Sequence, residues 1–318
     1  MRIALLDDGA LAFEAAPGVV PAVEGWIPRF PVHAPPAAGA SIVRVEAGSP
    51  PPAPEGPPAL DLRALRGWIP GGDGRVVLRE DSGVVGAEVD LAAGVATVRI
   101  ADAEAAAGAL SVETFGALTL SAALLLTRLG RALVHAAAVV APDGRAWLLA
   151  AGTFGGKTTT CVNLIRAGWN WLSDDHVVLG EGADGALRVE GWPRRFNLDH
   201  GHGAGAAPRG VRARVDPERF GPGKWDRNAP LGGLFLPRVE AELPTRVARV
   251  HPAAALGRLV EQAPWLLADP AGAPRVLALF QRAASLSAYE LRLGTDVYCD
   301  VERLQSLLAV AVNPPNGA

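Results

Sequence analysis

Residues 147–175 run WLLAAGTFGGKTTTCVNLIRAGWNWLSDD. An apolar run, Arg145–Ala150, reads as a strand and leads into a glycine-rich turn, Ala151, Gly152, Thr153, Phe154, Gly155, Gly156, followed by Lys157, Thr158 and Thr159. This is the phosphate-loop pattern with Ala in place of its first glycine. Its logic is electrostatic. A tight turn aims backbone N–H groups at a phosphate, and the helix that follows adds the positive end of its dipole. A helix from Gly156 to Ala167 carries the chain about 17 Å from the loop, and Gly168 stops it. Residues Trp169–Ser173 bring it back about 17 Å as a strand. Strands joined by one helix run parallel, so Asp174 and Asp175 are predicted to return to the edge that carries the loop. There two carboxylates can hold Mg²⁺ and accept a proton.

Working outward, Arg131–Val140 (RALVHAAAVV) reads as one buried strand turning at Pro142-Asp143-Gly144 into the strand before the loop. His135 lies inside it, where a core histidine bonded to backbone is the plain reading. Ala105–Leu129 is rich in Ala and Leu and reads as helical. The first hundred residues hold short apolar runs at Arg2–Leu6, Gly25–Phe30, Ser41–Val45, Gly74–Leu78, Gly83–Val89 and Val95–Ile100, with the proline-rich SPPPAPEGPP (49–58) between. They read as β-structure without evident chemistry. The division expected is therefore a β-rich region over 1–104 and a loop-bearing domain over 105–318.

Downstream, His176–Leu179 and Ala186–Glu190 read as strands about a Gly/Asp turn, and Leu231–Pro237 and Arg246–Val250 as two more. The 199–230 stretch, with many Gly, Pro and Arg, reads as a long irregular loop, a candidate lid. Helices are expected from His251 toward Glu261, over Pro274–Ala284 and over Asp300–Val310, with a strand at Ser287–Leu293.

Composition sets the outer bounds. Half of the residues are hydrophobic (49%) and 20% charged, enough for a substantial core, and the net charge is −3. That balance argues against nucleic acid or an acidic membrane as partner. The longest apolar run, Leu118–Leu126, is too short to span a bilayer, and MRIALLDDGALAF carries acids where a signal peptide is apolar. A soluble, cytoplasmic protein is expected. Cys161 and Cys299 make no disulfide framework. Only two of the 30 basic residues are lysines, Lys157 and Lys224. A surviving lysine at 157 suits a phosphate loop, where a compact ammonium fits and a planar guanidinium does not.

Taken as a set, LVHAAAVV with His135, AGTFGGKTTT, a helix closed by RAG, WLSDD, PLGGLFLPRVE, HPAAAL and AYELRLGTDVYCDVERLQSLL resemble the HPr kinase/phosphorylase family, more closely its short HPr-kinase-like bacterial relatives. The resemblance spans residue 105 to the C-terminus. It implies a mixed α/β protein with a phosphoenolpyruvate-carboxykinase-like P-loop kinase fold, the loop resting on mixed β-structure. It implies a serine kinase using ATP and Mg²⁺ on a protein or peptide, and short relatives also tailor ribosomally made peptides such as lasso-peptide precursors. Under it Lys157 neutralises β/γ-phosphate oxygens and Thr158 and Asp174 serve the metal. Asp175 lies at the general-base position, with Asp174 still open for that role, and His135 sits near the transferred phosphate. An arginine assists, with Arg195, Arg209 and Arg212 as candidates. Homo-oligomers are implied as well. Three features depart from the family: Ala151 and Phe154 replace glycines, Arg188 falls near the place of a second metal-binding Glu, with Glu190 as a near substitute, and residues 1–104 do not match the usual regulatory domain. Two other readings of the same residues are a small-molecule kinase and a non-catalytic ATP-sensing module.

Overall fold

Strand β8 (Val95–Ile100) alternates half-buried and buried side chains along its length, and β6 (Arg75–Glu80) does the same after an exposed Arg75. Such alternation makes a sheet with one covered face. In the computed structural model they belong to an eight-stranded sheet in the order β1-β2-β3-β8-β7-β6-β5-β4, with β1 Arg2–Ala4, β2 Leu11–Ala15, β3 Ser41–Ala47, β4 Leu60–Leu62, β5 Leu65–Trp68 and β7 Val85–Asp90. The pairs β2–β3 and β3–β8 are parallel and the others antiparallel. Helix α1 (Val112–Arg128) packs on β7 and β8. Its Leu118, Ala122, Leu125 and Leu126 are fully buried, and the Ser111 hydroxyl caps it by accepting from the Thr114 N–H at 3.1 Å. The residues described are 2–21, 23, 36–62, 65–70, 74–102, 105, 111–192, 196–199, 212–297 and 300–312. The strand expected at Gly25–Phe30 lies outside them, and the proline-rich 49–58 segment is irregular.

Contacts divide the chain into two units. The first comprises residues 1–133 together with 264–276; the second comprises 134–263 and 277–318. The second is built on a mixed sheet. Its main path runs β12 (Asn170–Ser173), β10 (Ala136–Val140), β11 (Ala146–Ala150), β17 (Asn228–Val239), β14 (Leu187–Gly191), β13 (Val177–Glu181). β19 (Ser287–Leu293) runs parallel along β17 and pairs with β18 (Arg246–Arg249). β15 (Phe196–Asp199) and β16 (Arg212–Val215) form a separate ribbon. β9 (Ala132–Val134) leads into β10.

Helix α2 (Lys157–Arg166) lies on β10 and on α5 (Val301–Val312); α3 is Pro252–Glu261 and α4 Ala273–Ala284. The core joins Val139, Leu149, Leu164, Ile165, Trp171, Phe235 and Leu304. Every residue of β10 and β11 is buried, which is why both read as continuous apolar runs rather than alternating ones. Trp169 and Trp171 are both buried, and Trp171 meets Phe196 edge-on at 5.2 Å.

Three expectations need correction. Arg131–Val140 is not one strand, because it breaks at His135 between β9 and β10. The 199–230 stretch is not wholly irregular. β16, a helical turn at Pro217–Arg219 and the first residues of β17 lie inside it, while residues 200–211 fall outside the described set. The Leu231–Pro237 strand is longer than expected, at 12 residues, and central: β11 and β19 flank it in parallel and β14 pairs with its start.

Candidate active site

The loop after β11 and the carboxylates after β12 meet because of β10. Both outer strands run antiparallel to it, so they are parallel to each other with β10 between them. Ala136 faces Ala150, and Ala138 faces Ser173. The residues that follow the outer strands, Ala151 and Asp174, thus leave the same sheet edge as the residue that precedes β10, His135. With about 4.8 Å between neighbouring strands, the loop and the carboxylates emerge about 10 Å apart, with His135 between. The parallel return anticipated from the sequence is present, with an intervening strand that the sequence does not show.

The loop itself is a close-approach structure. A Cβ on Gly155 would sit 2.6 Å from the Ala151 methyl carbon, and one on Gly156 would sit 2.6 Å from Leu293 Cδ1. Gly156 adopts φ 91° and Phe154 φ 63°. Positive φ at these positions turns successive N–H groups toward one concave side, the geometry that receives anions. Ala151 is buried, Gly152, Thr153 and Phe154 are exposed, and Gly155, Gly156, Thr158 and Thr159 are half-buried. Lys157 is only 7% exposed, and its Nζ donates to the Ala151 carbonyl at 2.6 Å and the Gly152 carbonyl at 3.1 Å. The ammonium therefore lies inside the turn. At the far end of α2, the Gly168 N–H bonds to the Ile165 carbonyl and the Trp169 N–H to the Leu164 carbonyl, with Gly168 at φ 87°. This is the Schellman closure that the RAG sequence implies.

The carboxylates occupy different environments. Asp174 is 2% exposed. It lies close enough to the buried Cys161 thiol that its charge, after burial itself, helps push that thiol well above its ordinary pKa. Asp175 is a quarter exposed and is gripped by two histidines. His135 Nε2 lies 3.3 Å from its Oδ1 and His176 Nδ1 2.7 Å from its Oδ2. The two rings face each other at 5.3 Å, tilted by 30°.

The break in the strand explains His135. Its N–H leaves the ladder and donates to the Gln262 carbonyl at 2.9 Å, at the end of α3. The side chain is thereby released toward Asp175 and is 30% exposed. The plain reading of His135 as a core residue is thus replaced by a paired one. His176 is the member that sequence reasoning missed. It directly follows the Asp pair, and its imidazole type was the signal.

Arg195 and Arg209 lie outside the described residues, and Arg212 is placed only as a residue of β16. Arg188 turns to Asn228, donating from Nη1 to its Oδ1 at 3.0 Å. Among the described residues no group of three or more His, Cys, Asp or Glu side chains forms a metal cage. The oxygen donors at hand, the Thr158 hydroxyl and the Asp174 carboxylate, suit a hard cation that shares its shell with phosphate and water. Among the described residues no helix is long and apolar enough to cross a membrane.

No family model matches this chain, and no curated protein does. Among solved structures it is similar to the Hpr(Ser) kinase/phosphatase from Coxiella burnetii, at 12% identity and a TM-score of 0.32, over 56% of this chain and 96% of that one. At that level the likeness adds nothing to the geometry.

Proposed function

We propose that the protein is an ATP-dependent kinase that phosphorylates a serine hydroxyl on a protein or peptide. One observation carries this reading: an anion-receiving glycine loop shares a sheet edge with a carboxylate set between two histidines. A site that only binds nucleotide needs the loop and its lysine; it has no use for a positioned base. Loop N–H groups and Lys157 take the β- and γ-phosphates. Lys157 exchanges its bonds to the Ala151 and Gly152 carbonyls for phosphate oxygens. Thr158 and Asp174 hold Mg²⁺, which supplies charge neutralisation on the phosphates when bound.

Asp175 accepts the proton of the acceptor hydroxyl as that oxygen attacks the γ-phosphorus. The bond from the γ-phosphorus to the β–γ bridging oxygen breaks, and ADP leaves. His135, on Oδ1 of Asp175, orients the carboxylate and faces the transferred group. The surroundings favour Asp175 over Asp174 as base, because Asp175 is partly open to an incoming hydroxyl while Asp174 is enclosed. The arginine expected to assist is Arg195, Arg209 or Arg212.

A protein or peptide acceptor, such as a ribosomally made precursor peptide, fits a partly open base better than an enclosed metabolite pocket does. The test is incubation with ATP, Mg²⁺ and serine-containing proteins and precursor peptides, read by mass spectrometry. The reading expects a mass increase of about 80 Da on the acceptor. ATP binding without transfer to any acceptor, peptide or metabolite, would instead favour an ATP-sensing module.

A further inference from the structure

We infer that His176 is a positioning residue for the reacting carboxylate of Asp175, an inference that rests on the kinase reading above. His176 is the more enclosed of the two histidines, its side chain 12% exposed against 30% for His135. It also makes the shorter contact, 2.7 Å against 3.3 Å. Its place in the chain makes it rigid. It is the residue between the Asp pair and β13, and its carbonyl accepts from the Trp192 N–H at 3.2 Å. Trp192 is itself buried, so the backbone that carries the ring is anchored to the sheet.

A carboxylate on a short side chain turns easily about its last bond. One histidine on each oxygen removes that freedom and fixes the carboxylate plane. A carboxylate offers about four lone-pair sites, so an oxygen bound by a histidine retains capacity for an acceptor hydroxyl. Nδ1 stands 2.7 Å from Oδ2 but off the line of a hydrogen bond in this structure; with the proton on Nδ1, a small turn of the ring brings the N–H onto that oxygen. The ring then acts as a donor carried on an anchored backbone, as the orienting partner of a catalytic base does elsewhere. Misplacing a base by an ångström costs on the order of a hundredfold in rate.

The experiment compares His176→Leu with His176→Asn, whose side-chain amide nitrogen stands close to the position of Nδ1. The expected result is a kcat reduced about 10- to 100-fold in His176→Leu, with KM for ATP unchanged, and a kcat within about fivefold of the native enzyme in His176→Asn. Ring nitrogen resonances of His135, recorded at one fixed pH in nucleotide-free protein, give a second readout that needs no turnover. They shift in His176→Leu, because the carboxylate plane turns, and stay near their native values in His176→Asn. Native kcat in His176→Leu, or His135 resonances unmoved in it, overturns the inference. If the native protein transfers no phosphate, the kinase reading falls while the His135 resonances still decide whether His176 positions Asp175.

Discussion

Phe154 combines a left-handed backbone (φ 63°) with a side chain that is 77% exposed. A bulky residue with positive φ costs roughly 1–2 kcal/mol, and glycine at the same place costs roughly 0.5–1 kcal/mol in unfolded-chain entropy. Phe154→Gly is therefore expected to raise stability by up to about 1 kcal/mol, or a few degrees in Tm. Calorimetry checks this, and a drop in Tm would show that the ring packs more than its exposure implies. The family resemblance implies a glycine at this position, where the sequence has phenylalanine. It did not show that the loop keeps the glycine-like backbone despite the phenylalanine. His135 and His176 teach the opposite lesson. Their types are visible in the sequence, but their roles depend on one carboxylate oxygen each, and no spacing rule encodes that.

At the scale of elements, the unit formed by residues 1–133 and 264–276 contains an ion pair with one buried partner. Arg128 Nε, at the end of α1, lies 2.8 Å from Asp269 Oδ2, with side-chain exposures of 35% and 1%. The asymmetry in burial decides the cost of breaking it. Arg128→Ala leaves a carboxylate enclosed without its cation and is expected to cost about 3–5 kcal/mol. Asp269→Ala leaves a guanidinium that water reaches, so its cost is smaller. Denaturant unfolding of the two variants orders them, and equal losses would contradict the burial argument. The return of residues 264–276 to the first unit was not legible, because it depends on contacts with residues more than a hundred positions away. The helix α2 and its closure were legible, since a glycine stop and a strand length are local properties.

In the second unit, Asp296 accepts from the Thr245 hydroxyl at 2.6 Å and pairs with Arg303 Nε at 2.8 Å; the Thr245 hydroxyl oxygen in turn accepts from the Gly294 N–H. The Thr245 hydroxyl is the largest influence on Asp296, and with the Thr245 N–H and Arg303 it holds the carboxyl below its ordinary value of 3.8, against a smaller opposing effect of burial. A depressed carboxyl adds stability above its unfolded pKa and loses that stability as pH falls through the lower folded value. Thr245→Val removes this and strands the Gly294 N–H, at a cost of roughly 1–3 kcal/mol near pH 6. The cost should shrink as pH falls below about 4, where Asp296 of the unfolded chain takes up a proton, and further as the folded carboxyl follows at its lower pKa. Urea melts at pH 6 and pH 2.5 test it, and an undiminished cost at the lower pH would assign the whole effect to packing.

At the scale of the molecule, the site is a product of strand order. Sequence reasoning brought the loop and Asp174–Asp175 to one edge from lengths alone, because direction follows from one helix and one strand whatever lies between. It could not place β10 between them, nor break the strand at His135, since the Gln262 carbonyl that takes the His135 N–H is more than a hundred residues away. The first unit, with its one-sided sheet, was legible as β-structure from short apolar runs, and no chemistry is assigned to it. The proposed activity rests on Asp175 as base and on the loop as nucleotide site, which Asp175→Asn separates. With a competent acceptor, ATP and Mg²⁺, phosphoryl transfer by Asp175→Asn should fall at least about a hundredfold while ATP affinity measured by calorimetry stays within about threefold. Transfer at the native rate in Asp175→Asn would contradict the assignment of Asp175 as the base.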